Sequence, residues 1–209
     1  MSKTKRDANA TKAKILQEAR TLFSVKGFDA TTVDDIANSS DVNKALIYYY
    51  FKNKAGLYAQ VMSGLFDAIY DEVVSARERC NSTTDELYAF IKTYAEYAHK
   101  HSYFPALLLR ELSDSGAHLP EMMFASMRKV FILLSEILQK GEREGVFIKS
   151  TPMLVHFMII GTINLMVTTA PLRKKAMEID DSVDSCAECS ADEITTYVFQ
   201  TIQKSLEVK

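Results

Sequence analysis

Seven glycines and four prolines in 209 residues leave few places where a helix must stop, and that scarcity constrains the fold more than any other feature of the chain. Gly and Pro break helices and build the turns that sheet proteins need, so the chain is expected to be all-helical, with long helices and few connections. Capping chemistry locates the first of them. Thr11 to Lys26 carries Ile15, Leu16, Ala19, Leu22 and Phe23 at helical spacing and stops at Gly27. Thr32 and Asp35 form a capping box for a short second helix that ends near Ser39, with Val33, Ile36 and Ala37 facing inward. Ser40, Asp41 and Val42 make a tight turn, and Asn43 caps a third helix from Lys44 to Phe51. Asn53 caps a much longer fourth, through Leu57, Val61, Leu65, Ile69 and Val73 to about Arg79.

Further helices are expected at Asp85 to Lys100, Pro105 to Ser113 and Pro120 to Glu144, the last closed by Gly145. Thr151 and Pro152 open an apolar helix, Met153 to Ala170. A short basic stretch, Arg173 to Lys175, and an acidic loop, Glu178 to Glu188, follow Pro171. Ser190 and Glu193 form a second capping box, for a last helix from Ala191 to about Leu206. Met153 to Ala170 is long enough for a marginal membrane span, but His156, Thr162, Asn164, Thr168 and Thr169 interrupt it and no aromatic girdle flanks it. A buried helix of a soluble protein, with no membrane partner, is the expectation.

Charge is unevenly distributed. Residues 1–54 hold ten Lys and Arg against six Asp and Glu, while the remainder holds fifteen against twenty-one. A basic end on an acidic body suits a protein that grips a polyanion with one part only. The sign and the helix length both change near residue 55, which divides the chain into an expected head, residues 1–55, and a larger helical body, residues 56–209. Three cysteines and a polar N-terminus point to the reducing cytoplasm.

Two short helices joined by a tight turn, the second polar at its start, form a helix-turn-helix that lays its second helix in the major groove of DNA. On that helix, Asn43 to Phe51, each step turns about 100°, so its four consecutive aromatics cannot share a face. Ile47 and Phe51 are expected to pack inward against Leu22 and Ile36, leaving Lys44, Ala45, Tyr48 and Tyr49 for DNA. Lys44 can bond a guanine edge or a phosphate, Ala45 lets the backbone approach and can touch a thymine methyl, and Tyr48 can do either kind of work. Thr32 and Lys54 stand at helix starts, where backbone N–H groups also favour phosphate. For each tyrosine the plain alternative is ordinary partial burial.

The series Ile15-Leu16 to Phe23, Gly27-Phe28, Thr31-Thr32-Val33, Asp35-Ile36-Ala37, Val42, Ile47-Tyr48-Tyr49-Tyr50-Phe51, Lys52-Asn53-Lys54 and Leu57 resembles the N-terminal domain of the TetR (tetracycline-repressor-like) family. Beyond residue 57 only the helical layout is similar. The resemblance implies an all-helical homodimer whose first three helices bind operator DNA and whose remaining helices hold an effector pocket and the dimer interface. By position it implies phosphate contacts at Thr32, Tyr49, Tyr50 and Lys54 and base contacts at Lys44, Ala45 and Tyr48. The chain departs from the family at Asp41, where a turn glycine is usual, at Ala45 and Leu46, where a small residue and threonine are usual, and at Ala55, where an acidic residue is usual. Operator sequence is therefore not carried over from relatives.

Aromatic residues and methionines crowd the body. Most are core, but methionine suits an adaptable apolar pocket. A lipophilic or aromatic small-molecule effector is expected, with Phe66, Tyr70, Tyr94, Phe104, Met127 and Phe131 as candidate walls. Arg110, Glu111, His156 and Asn164 are candidate polar anchors. The dimer is expected to pair the last two helices, Met153 to Ala170 and Ala191 to Leu206, with Gly161 permitting close approach. No cofactor or metal is expected, and no phosphate loop, nucleophile elbow or H-E-x-x-H motif suggests an enzyme. The competing signal is Cys186-Ala-Glu-Cys189, half of a zinc site or a reversible disulfide. The alternatives are thus a ligand-independent DNA-binding protein of the same fold, or a metal or redox sensor through Cys186 and Cys189.

Overall fold

A computed structural model describes residues 3–113, 116, 118, 121–180, 186 and 189–208, with side chains from Asp7 onward. Pro120 and residues 181–185, 187 and 188 of the expected acidic loop lie outside the described residues. The described residues form ten α-helices and no strand: α1 (Lys3–Ala30), α2 (Val33–Ser40), α3 (Lys44–Phe51), α4 (Lys54–Arg77), α5 (Thr83–Lys100), α6 (Tyr103–Ser113), α7 (Glu121–Glu144), α8 (Pro152–Thr168), α9 (Ala170–Ile179) and α10 (Ala191–Leu206).

Local chemistry explains most of these boundaries. Gly27 leaves helical geometry at φ 82 and ψ 175, so α1 is broken where the glycine stands and runs on for one irregular turn. The Thr32 hydroxyl accepts the Asp35 N–H at 3.0 Å, and the Asp35 carboxylate accepts the Thr32 N–H at 3.1 Å. That backbone bond, with Lys26 beside it, holds the Asp35 carboxyl below its ordinary range. Asp41 adopts the left-handed conformation at φ 52 and ψ 49, which makes it the turn residue between α2 and α3. Val42 N–H then returns to the Ala37 carbonyl at 3.0 Å, closing the end of α2. The second capping box, Ser190 with Glu193, starts α10 in the same way.

Two elements depart from the sequence reading: α1 begins at Lys3, eight residues before the expected Thr11, and a further helix follows α8. The basic stretch after Pro171 belongs to a helix, α9, with the proline in its first turn. Proline is tolerated there because the first N–H groups of a helix have no internal partner. The axis bends by 58° between α8 and α9. No single helix among the described residues is long and apolar enough to cross a membrane.

The chain divides into two compact units. The first comprises the residues up to Phe66 together with Ala106–Met127. In it α2 packs against α1 and α3, over a core of Ile15, Ala19, Phe23, Ile36, Ile47 and Phe51. Phe23 and Tyr58 meet edge to face at 4.8 Å. The second comprises Asp67–Pro105 and the residues from Arg128 onward. In it α5, α8 and α10 pack against one another. Glu86 is nearly buried between two cations, with Arg77 Nε and Lys140 Nζ each at 2.5 Å. Burial pushes the Glu86 carboxyl up, but the hydrogen bonds from Lys140 and Arg77 outweigh it and hold the group below its ordinary range. On α8, Val155, Ile159, Ile160, Ile163 and Asn164 are buried, whereas Leu154, Phe157 and Leu165 remain 63, 60 and 53% exposed. The apolar helix is thus covered on one side only within a single chain.

Candidate nucleic-acid interface

Residues of α3 differ sharply in burial. Ile47 is fully buried and Phe51 nearly so, which anchors the helix in the core of the first unit. Lys12 of α1 lies 5.6 Å from the centre of the Phe51 ring and caps that anchor from the solvent side. Tyr48 and Tyr49 project outward, 43 and 79% exposed, and Ala45 beside them is exposed. Tyr50 is half-buried and takes the edge of Tyr49 at 5.3 Å, so one tyrosine orients the next. Asn43 accepts the Ala45 N–H at 2.8 Å and fixes the start of the helix.

The two candidate lysines stand in different settings. Lys44 Nζ lies 2.7 Å from Asp34 of α2, and that hydrogen bond raises the lysine pKa above its ordinary value. The ammonium is thus held in its charged form by the Asp34 carboxylate. Lys54 Nζ donates to the Phe28 carbonyl at 2.9 Å and sits 4.3 Å above the Phe28 ring. It ties the start of α4 to the irregular end of α1. Gly56 is required at that junction, because a Cβ there would stand 2.2 Å from the Phe51 carbonyl oxygen. Thr32 is exposed, with its oxygen already accepting the Asp35 N–H.

Several contacts in this unit have no signature in the sequence. Arg110 of α6 lies against Gly27, so close that a Cβ on the glycine would stand 2.5 Å from Nη1. Glu111, 3% exposed, accepts the Tyr58 hydroxyl at 2.5 Å, and burial with that bond drives the Tyr58 pKa far upward. His118 stacks on Phe28 at 4.6 Å, with Nε2 3.4 Å from Asp29. The end of α6 and residue 118 therefore hold the loop that carries Gly27 to Asp29. The partners are far apart in sequence, so no local pattern links them.

The candidate effector residues fall in both units. Phe66, Arg110 and Met127 belong to the first, and Tyr70, Tyr94, Phe104, Phe131, His156 and Asn164 to the second. In the second unit the Tyr94 hydroxyl donates to Asn164 Oδ1 at 3.1 Å with both residues buried, and the Tyr94 ring meets Phe104 at 6.2 Å. Burial raises the Tyr94 pKa. His156 meets Phe131 edge to face at 5.4 Å. Burial pulls its pKa down to about 4, and its Nδ1 is buried without a hydrogen-bond partner. A cavity of about 440 Å³ lies elsewhere in this unit, lined from α8 by Thr162 and Met166, from α10 by Glu193 and Tyr197, and by Cys186 and Cys189. The two cysteines are brought together with Cα atoms 5.2 Å apart, within the range that a disulfide spans. Among the described residues no group of three His, Cys, Asp or Glu is placed to hold a metal.

Comparison with known proteins agrees with this architecture. Residues 15–61 match the family described as "Bacterial regulatory proteins, tetR family", and residues 59–189 match "YsiA-like protein, C-terminal region". The "Probable HTH-type transcriptional regulator YttP" of Bacillus subtilis is 31% identical over 152 residues, which is 72% of each chain. IcaR of Staphylococcus aureus, named as the negative transcriptional regulator of the biofilm operon icaADBC, is 41% identical over 80 residues, 38% of this chain and 43% of that protein. The fold is similar to that of the transcriptional regulator FadR from Bacillus subtilis in complex with stearoyl-CoA. The TM-score is 0.70 at 19% identity, over 90% of this chain and 97% of that one.

Proposed function

The chain belongs to the TetR family of bacterial transcriptional regulators, and from that premise we propose that it is a homodimeric repressor released from its operator by a lipophilic small molecule. The observation that carries the DNA-binding part is the division of α3, with Ile47 and Phe51 locked in the core and Lys44, Ala45, Tyr48 and Tyr49 left on one outward face. Lys44, Ala45 and Tyr48 meet base edges, while Thr32, Tyr49, Tyr50 and Lys54 hold phosphates. The negative regulator IcaR among the relatives supports repression as the sign of control.

The exposed side of α8, with Leu154, Phe157 and Leu165, and the 73% exposed Tyr197 of α10 support pairing of these helices with a second copy. Large apolar side chains gathered at a surface mark interaction sites. For the effector we take the second unit, where Tyr70, Tyr94, Phe104, Phe131, His156 and Asn164 combine aromatic walls with two buried polar groups. The stearoyl-CoA complex of FadR supports a long acyl chain as the first ligand class to test. Phe104 stands at the start of α6 and Arg110 and Glu111 at its end. An effector that binds one of two states of the protein more tightly shifts the population toward that state, and so biases the head.

The test is operator binding by fluorescence anisotropy over a salt series. Lys54→Ala weakens binding to all sequences and flattens the salt dependence, whereas Lys44→Ala changes which sequence is preferred. Palmitoyl-CoA releases the duplex from the wild type. Unchanged salt slopes and sequence preference in both variants contradict the assigned DNA face, and operator binding indifferent to acyl thioesters and to a panel of aromatic compounds contradicts the effector class.

A further inference from the structure

DNA binding leaves Cys186 and Cys189 without a role, yet they occupy a defined place. They line the 440 Å³ cavity between α8 and α10 together with Met166 and Tyr197. Their Cα separation of 5.2 Å lies within the range that a disulfide needs. Cys186 is held at φ 44, in the left-handed region that a residue with a side chain avoids. Its carbonyl accepts the Cys189 N–H at 3.3 Å and Arg173 Nη2 at 3.3 Å. Arg173 also donates to Thr169 at 2.5 Å, and its Nε is buried without a hydrogen-bond partner. Cys189 directly precedes Ser190, the N-cap of α10. The covalent state of the pair therefore bears on the first turn of α10, on α9 through Arg173, and on the cavity wall.

A cross-link that spans only two intervening residues removes little entropy from the unfolded chain, so its presence is poorly explained as a structural staple. In a compartment that holds DNA and is rich in small thiols, a disulfide persists only when an oxidant supports it. We propose that Cys186 and Cys189 form a reversible dithiol–disulfide site that exchanges with small-molecule disulfides and sets operator affinity through α8 and α10. The coupling to DNA rests on the regulator reading given above; the thiol chemistry does not.

In the exchange, the thiolate of one cysteine attacks a sulfur of the small disulfide, whose S–S bond breaks and releases one small thiolate. The thiolate of the second cysteine attacks the resulting mixed disulfide, forms the Cys186–Cys189 bond and expels the second small thiolate. Two electrons pass from the cysteine pair to the small disulfide, and the two protons lost by the cysteines end on the two released thiols. In the dithiol form no bond fixes the two sulfurs, so the Cys186 backbone, its hydrogen bond with Arg173 and the cavity wall it borders are released from that constraint.

The test uses the full chain equilibrated over ratios of glutathione to its disulfide, quenched in acid, alkylated and weighed intact. The expected result is one transition between a species with three alkyl groups and a species with one, because Cys80 is free and labels in both. A pair that stays reduced at every ratio, or that stops at a glutathione adduct, overturns the proposal. Operator affinity of the two forms is expected to differ by about fivefold or more, and the Cys186→Ser, Cys189→Ser double variant is expected to bind with one affinity at every ratio. Equal affinity of the two wild-type forms, with a normal mass transition, overturns the coupling alone. A normal mass transition with no operator binding by either form overturns the regulator reading and the coupling together.

Discussion

Removing one hydroxyl, in Tyr58→Phe, tests whether the contact between α4 and α6 stabilises the first unit. The Tyr58 hydroxyl donates to Glu111 Oε1 at 2.5 Å, with the two residues 1 and 3% exposed. Glu111 Oε2 has no hydrogen-bond partner, and Nδ1 of His118 stands 3.9 Å from it. Without the hydroxyl the carboxylate is buried with neither oxygen hydrogen-bonded. A hydrogen bond to a charged group contributes roughly 1.5 to 3 kcal/mol, and an orphaned buried acceptor carries its own desolvation cost, so the expected loss is about 2 to 3 kcal/mol. For a chain of this size that lowers Tm by roughly 4 to 12 °C. Urea unfolding followed by far-UV circular dichroism measures it, at fixed protein concentration because association adds to stability. Adding Glu111→Leu to Tyr58→Phe should restore most of the loss, since replacing both polar partners by apolar groups leaves nothing unsatisfied. A single variant within about 0.5 kcal/mol of wild type, or a double variant less stable than the single, refutes this account.

Gly27→Ala places a side chain at φ 82 and ψ 175, a region open almost only to glycine, and pushes on Arg110. We expect a loss of about 1 to 3 kcal/mol in the same urea assay, and a neutral substitution would show that the break in α1 is not held as described. His156 is kept at about 4 by burial, against an ordinary value of 6.5. As pH falls the unfolded chain binds the proton first, so the stability tied to this residue is complete above about 6.5 and is lost toward 4, on the order of 3 kcal/mol. His156→Gln should flatten the dependence of the urea midpoint on pH in that window, and an unchanged slope would assign the dependence to other groups. Ser190→Ala removes the hydroxyl that accepts the Glu193 N–H and should lower thermal stability by about 1 kcal/mol. A change indistinguishable from zero would mean that Glu193 alone satisfies the start of α10.

Features written in local chemistry were legible before any coordinates. Thr32 with Asp35, Asn43, and Ser190 with Glu193 announce helix starts because each side chain bonds a backbone N–H two or three residues on. Asp41 could be read as the turn residue because aspartate is among the few that tolerate the left-handed conformation it adopts. Helical spacing sets Tyr48 and Tyr49 apart from Ile47, whereas Lys44, seven residues from Phe51, reaches solvent from the first turn of α3 through its pairing with Asp34. Pro171 misled, because a proline that ends one helix can equally sit in the first turn of the next. The apolar sequence of α8 could not say which side is buried, since a helix apolar all round carries no stripe. The bond from Lys54 to the Phe28 carbonyl joins residues 26 apart, and no local pattern announces it. Arg110 on Gly27 and Glu111 on Tyr58 join residues with no shared period, so only the folded chain could pair them.

Selection of bound duplexes from a random DNA pool by the purified protein, with the mass of the selected complex determined in the same preparation, tests the central claim most directly. The expected result is a two-fold symmetric site whose half-sites lie about one helical turn, roughly 10 base pairs, apart, held by two copies of the chain and lost from the Tyr48→Ala variant. A pool that never enriches beyond non-specific binding, or an asymmetric site held by a single copy, would contradict it.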